Sequence, residues 1–203
     1  MKIICVGRNY VEHIKELNNK TNDEPVIFSK PETALLQPRL PFFIPEFSQD
    51  IHHEVELVLK INKTGKNIAE KFANKYFDEI SVGIDFTARD KQTQLKEKGL
   101  PWELAKAFDG SAPVGKFLSK EKLLPLDNIK FTLLKNNVAV QQGNSSNMIF
   151  SFSKIISFVS QYITLKKGDL IFTGTPKGVS VVKPNDILEA FIGDEKLLSV
   201  KVK

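Results

Sequence analysis

The chain has 203 residues and a formal net charge of +5, and at 41% hydrophobic and 26% charged it has an ordinary globular composition. Its single Cys5 excludes an intramolecular disulfide framework and a cysteine-based zinc site, and no apolar run approaches the roughly 18–20 residues of a membrane span. The pI near 9.1 raises a nucleic-acid surface, but acids interleave the lysines and the densest groups, Lys116–Lys122 and Lys166-Lys167, lack the aromatics of a stacking platform, so neither nucleic acid nor membrane is expected as a partner.

Met1–Gly7 is too short and too strand-like for a signal peptide, so the cytoplasm is the expected location. Residues 2–6 read as a short buried strand stopped by Gly7-Arg8. Asn9 then reads as the cap of a helix running to Leu17, followed by a polar loop over Asn18–Glu24. In that helix His13 and Glu16 lie three apart, on one face. They read either as a general-base pair or, on the simpler view of this segment alone, as a surface ion pair.

Residues 25–31 form a strand broken by Pro31, and prolines at 25, 31, 38, 41 and 45 keep the chain extended as far as residue 48. His52–Ile61 alternates with period two, which puts Glu54 and Glu56 on one face, roughly 6–7 Å apart. Carboxylates that close repel unless a cation or a proton lies between them. On this stretch alone the simpler reading is a half-buried strand with its acidic side in water. Residues 68–76 have helical spacing.

Glu79–Thr87 alternates again, with Ser81, Gly83, Asp85 and Thr87 on one face. If that face meets Glu54 and Glu56, three carboxylates make an all-oxygen site for a hard cation. His52 and His53 adjoin it, and neither is assigned as a ligand. A charged helix follows Ala88, and Trp102–Phe108 forms a short helix in which Lys106 reads as a surface lysine. Asn136-Asn137 closes a hairpin between 129–135 and 138–142, and Met148–Tyr162 is an amphipathic helix under the sheet. The turn Thr173–Val179 offers hydroxyls and backbone N–H groups as an anion cradle without P-loop spacing, and 185–202 supply closing strands.

Five blocks now stand in order: His53-Glu54-Val55-Glu56-Leu57, Asp85-Phe86-Thr87-Ala88-Arg89-Asp90, Gly99-Leu100-Pro101-Trp102, Lys106-Ala107-Phe108-Asp109 and Thr173-Gly174-Thr175-Pro176-Lys177-Gly178-Val179. With these the sequence resembles the fumarylacetoacetate hydrolase superfamily over nearly its whole length, nearest the short acylpyruvate hydrolase / oxaloacetate decarboxylase branch. The resemblance implies a mixed α+β, predominantly β fold, a β-sandwich roll with short peripheral helices. It implies one catalytic domain over 1–203, with a lid helix near 9–17 and the roll over 51–203, assembled as a homodimer.

It further implies Mg²⁺ or Mn²⁺ on Glu54, Glu56 and Asp85, His13 and Glu16 as a water-activating lid pair, and Lys106 as the catalytic lysine. Arg89, Gln92 and Thr175 fall near a bound small 2-oxo acid. Ile84 departs from the Asn often found before the ligand aspartate. The implied activity is hydrolysis of the C–C bond of acylpyruvates, with oxaloacetate decarboxylation through the same enolate. The alternatives are a 2-hydroxyhepta-2,4-diene-1,7-dioate isomerase or a 2-oxo-acid hydratase, and more remotely a basic nucleic-acid-binding module.

Overall fold

In chain order the computed structural model, which describes residues 1–16 and 23–203, gives β1 (Ile3–Gly7), α1 (Val11–Glu16), β2 (Val26–Lys30), β3 (Ile51–His53), β4 (Val55–Ile61), α2 (Glu70–Ala73), β5 (Phe77–Ile84) and β6 (Thr87–Ala88). There follow α3 (Arg89–Glu97), α4 (Glu103–Lys106), β7 (Leu118–Ser119), β8 (Lys130–Lys135), β9 (Val138–Asn144), α5 (Phe152–Tyr162), β10 (Leu170–Phe172), β11 (Ser180–Val181), β12 (Ile187–Ile192) and β13 (Glu195–Lys201). The strands form sheets in the orders β2-β1-β10-β4-β5-β7, β11-β3-β6 and β13-β12-β8-β9. This is the mixed, mainly β architecture expected of the sequence. The loop expected over 18–24 lies mostly outside the described residues.

The stretch 52–61 is not one strand. β3 pairs with β6 and β11, whereas β4 pairs with β5 and β10, so the chain changes sheets at Glu54. β4 is buried on both faces: Leu57 and Leu59 enter the larger core, and Val58 packs with Ile3, Cys5 and Phe172 in a smaller one. A strand covered on both sides has no water-facing side, which overturns the simpler reading of its acidic residues. Opposite Glu56 stands Gly83. A Cβ there would lie 2.7 Å from the Phe172 ring and 2.9 Å from Val58, so only glycine lets β10 close over this end of the strand.

Hydrophobic spacing found the larger helices and missed their ends. α5 begins at Phe152 rather than Met148, because Ser151 Oγ accepts the Lys154 N–H as an N-cap and residues 145–147 are already a 3₁₀ turn. The helix expected over 68–76 shrinks to α2, since Asn67 sits at φ 50° and β5 starts at Phe77. The β8–β9 hairpin turns through Asn136 and Asn137, both left-handed at φ 53° and 65°, as a type I′ turn requires.

Asn9 does not cap α1. Its side chain is buried: Nδ2 donates to Thr173 O (2.8 Å) and Phe150 O (3.1 Å), and Oδ1 accepts from Phe150 N (2.7 Å). Three bonds thus tie the root of α1 to the end of β10 and to the segment before α5. The helix opens one residue later, with Ile14 N donating to Tyr10 O at 3.0 Å.

Candidate active site

The register of β4 against β5 builds the floor of the site. Val55 lies opposite Ile84, so Glu54 and Asp85, each one residue beyond that pair, emerge side by side, with Asp85 N donating to Glu54 O at 2.8 Å. Glu56 joins them from the same side of β4. Each of the three offers an oxygen within 4.8 Å of the others'. All three are buried, and Glu56 is 2% exposed. The face expected to carry Asp85 and Thr87 therefore does meet the Glu54/Glu56 face.

Lys106 is no surface lysine. It is 3% exposed, and Nζ donates to Glu54 Oε2 (2.8 Å), Asp85 Oδ2 (2.6 Å) and Thr87 Oγ1 (2.5 Å). α4 delivers it: the helix starts after Pro101-Trp102 and spans just enough residues to turn Lys106 inward beside Ala105. Arg89, the first residue of α3, pairs through Nη2 with Glu54 Oε1 and donates through Nη1 to Gln92 Oε1 at 2.6 Å. Thr175 Oγ1 accepts from Gln141 Nε2 at 2.9 Å. His13 is buried on α1, its Nδ1 3.1 Å from Glu16 Oε2, and Glu16 Oε1 accepts the Gly178 N–H at 2.9 Å. One cleft is lined by His13, Glu54, Glu56, Asp85, Arg89, Gln92, Lys106 and Thr175. Of the residues singled out from the sequence only Glu16 stands behind that lining, at His13's back.

The turn after β10 has a different use from the anion cradle expected. Two of its backbone donors are taken by the chain's own carboxylates: Gly174 N donates to Glu56 Oε2 at 2.7 Å, as Gly178 N does to Glu16 at 2.9 Å. Gly174 adopts φ 101°, and a Cβ there would meet that of Asn9 at 2.7 Å.

Charge in the cleft is unevenly answered. Burial would raise the Glu54 carboxyl, but Lys106 and Arg89 hold it well below the usual range. Burial pushes the Glu56 carboxyl well above that range, and Asp85 and Glu54 push it further against the single Gly174 N–H. Burial would lower Lys106, yet Asp85 and Glu54 raise it. The His13 imidazole is lowered, first by burial, against the pull of Glu54 and Glu16, so it is neutral near pH 7. Its Nδ1–H then points at Glu16, which leaves Nε2 with a lone pair. Three close oxygens with one carboxyl short of positive charge are the donor set of a hard divalent cation, and the residues fit Mg²⁺ or Mn²⁺.

Sequence reasoning missed four residues here. Lys30, at the end of β2, is fully buried with Nζ 2.8 Å from Asp85 Oδ1, an ion pair without hydrogen-bond geometry. It also donates to Ser111 Oγ at 2.9 Å and to the Lys106 carbonyl. A signal was present, since alternation puts Lys30 on the face of Phe28. Gln141 of β9 holds His53 Nδ1 (2.9 Å) and Val55 N (3.0 Å) through its oxygen while its nitrogen bonds Thr175. Arg8 and Lys96 line the cleft as well. His52 and His53 bond Asp50 and Gln141/Ser180 respectively, away from the carboxylates.

The sequence profile described as Fumarylacetoacetate (FAA) hydrolase C-terminal matches residues 2–202. Among named relatives, the mouse protein "Oxaloacetate tautomerase FAHD1, mitochondrial" is 46% identical over 201 residues, 99% of this chain and 91% of its own. "Oxaloacetate decarboxylase, mitochondrial" of Dictyostelium discoideum is 42% identical over 94% of this chain and 88% of its own. Among solved structures, the fumarylpyruvate hydrolase from Pseudomonas aeruginosa in complex with Mn²⁺ and pyruvate superposes with a TM-score of 0.92 at 34% identity, covering 100% of this chain and 89% of that one. No described helix is long and apolar enough to cross a membrane.

Proposed function

The chain belongs to the fumarylacetoacetate hydrolase family, and on that footing we propose that it makes and quenches the enolate of a 2-oxo acid, interconverting the keto and enol forms of oxaloacetate. The observation that carries this reading is a buried ammonium, Lys106, set among carboxylates on the floor of a cleft that also presents Arg89, Gln92 and Thr175. Glu54, Glu56 and Asp85 would hold Mg²⁺ or Mn²⁺, which when bound supplies Lewis-acid stabilisation of enolate charge. A relative with the same fold is described with Mn²⁺ and pyruvate.

The chain's own groups divide the remaining work. Arg89 and Gln92 orient the carboxylate next to the 2-oxo group, the guanidinium as a charged fork. Thr175 accepts from Gln141, and its hydroxyl proton has only a long 3.5 Å contact with Pro176 O, which a ligand in the cleft can replace. In the enol-to-keto direction the Lys106 ammonium gives a proton to the carbon beside the 2-oxo group while the enol hydroxyl gives up its own to solvent, and the lysine charge steadies the developing oxyanion. Decarboxylation of oxaloacetate reaches the same enolate by loss of CO₂, the activity named for the Dictyostelium relative.

A second reading, hydrolytic cleavage of an acylpyruvate, rests on the His13–Glu16 pair. A neutral imidazole with Nδ1–H held by a carboxylate and Nε2 unprotonated is built to take a proton from water. The test is a substrate panel of oxaloacetate and acetylpyruvate with Mg²⁺ or Mn²⁺ and a chelator control. Metal-dependent loss of the enol absorption of oxaloacetate, faster than in buffer, is expected. No acceleration with either metal would sink the tautomerase reading, and cleavage of acetylpyruvate alone would leave the second in its place.

A further inference from the structure

We propose that Arg8 and Lys96 form a seat for a second carboxylate, at the end of the substrate remote from its 2-oxo acid. The inference deepens the reading above and rests on it for which end of the substrate lies over Glu54, Glu56 and Asp85. It begins with a count of partners. Lys30, Lys106 and Arg89 each pair with Glu54 or Asp85. Arg8 and Lys96 line the same cleft, yet among the described residues neither makes a hydrogen bond or an ion pair with a carboxylate. Residues 17–22, Leu-Asn-Asn-Lys-Thr-Asn, hold no acid that could answer them.

The backbone holds Arg8 there at a cost. It sits at φ 60°, a left-handed conformation that costs a residue with a Cβ roughly 1 kcal/mol or more, and among the described residues its buried Nε has no partner. β1 fixes it on one side and the three bonds of Asn9 on the other. Lys96 comes from the last turn of α3, its Nζ 5.5 Å from the Trp102 ring centroid, and the same ring packs beside Gly7. Arg8, Lys96 and Trp102 thus line the same cleft. Burial first, then Arg8 and Arg89, bring the Lys96 ammonium down to about 8 against the pull of Glu54, and no carboxylate pairs with either Arg8 or Lys96 among the described residues. A carboxylate placed there answers both, and Arg is suited to take it with two parallel N–H groups.

The pocket is therefore built for a 2-oxo dicarboxylate rather than a 2-oxo acid with an apolar tail. Malate and lactate test this, since they share a 2-hydroxy carboxylate and differ by one remote carboxylate. In calorimetry on the Mg²⁺-loaded protein, malate is expected to bind about tenfold or more tightly than lactate, the scale of one charge-assisted contact. Arg8→Gln and Lys96→Gln should each erase most of that preference and leave lactate unchanged, whereas Lys96→Arg should keep it. Lys96 lies on a half-exposed helix face, so its variants test the idea even if Arg8→Gln fails to fold. Equal affinities in the wild type, a preference that survives both substitutions, or equal weakening of malate and lactate would each overturn the assignment. A malate preference without oxaloacetate turnover would sink the tautomerase reading and leave this seat standing.

Discussion

The ammonium of Lys106 lies 2.6 Å from Asp85 Oδ2 and 2.8 Å from Glu54 Oε2, in the middle of the carboxylates that would otherwise repel. One side chain is thus the counter-ion of two carboxylates and, on the proposed function, the proton carrier as well. Lys106→Met should lower turnover of oxaloacetate by roughly two orders of magnitude or more, the scale of losing one electrostatic donor. Unlike a surface lysine, it should also cost stability, on the order of 3 kcal/mol, because buried carboxylates lose their partner. Adding Mg²⁺ should restore most of the melting temperature and none of the rate. A variant that melts like wild type in chelator would show that the triad does not need the lysine.

Glu56→Gln separates charge from shape. The amide oxygen still accepts the Gly174 N–H, while repulsion from Asp85 and Glu54 disappears. The apoprotein should be as stable as wild type or more so, and calorimetric Mg²⁺ binding should vanish. Wild-type metal affinity in this variant would remove Glu56 from the ligand set.

His13→Ala should act selectively. Hydrolysis needs an activated water and keto–enol exchange does not, so acetylpyruvate cleavage should collapse while oxalate binding persists and oxaloacetate turnover falls less. The base is the neutral form, present above its pKa and lost as pH falls through it. Burial lowers that value, so the acid limb of acetylpyruvate cleavage should lie below pH ~6.5, the ordinary histidine value. A limb above it, or equal loss of both activities, would contradict this role.

Asp169 anchors the first strand to the parallel strand beside it. It accepts from Lys2 N (2.9 Å), Lys2 Nζ (2.5 Å) and Lys166 N (2.7 Å). Burial would raise its carboxyl, but the Lys2 ammonium and the two backbone donors bring it below the usual range. The folded value is the lower one, so its stabilisation is full above the unfolded pKa of ~3.9 and is lost as pH falls through the folded value. Asp169→Asn should cost roughly 1–2 kcal/mol at pH 7 and flatten the acid limb of stability, as read by denaturant midpoints. An unchanged acid limb would mean that other carboxylates set it.

The carboxylate cluster is legible because a strand's period is two: Glu54 with Glu56, and Asp85 with Thr87, share faces by arithmetic alone. The Asn136-Asn137 hairpin was legible for an equally local reason, the left-handed tolerance of asparagine. What local pattern could not give was burial. Lys30, Lys106 and Asn9 look like surface residues in sequence and become interior ones only when β2, α4 and α1 pack on strands far away in the chain. Lys106 and the His13–Glu16 pair were rescued by family resemblance, which carries tertiary information that periodicity lacks. Lys30 and Arg8 had no such help.

The turn that follows β10 grips a carboxylate at either end, Glu56 through Gly174 N and Glu16 through Gly178 N. A few residues of backbone therefore join Glu56, a proposed ligand of the cation, to the helix that carries His13. A shift of Glu56 toward a bound ion would pull on the Gly174 peptide that donates to it, and α1 is tied to the other end of that segment through Glu16. Linkage then works in both directions: by whatever factor cation binding favours the seated helix, seating the helix tightens the cation by the same factor.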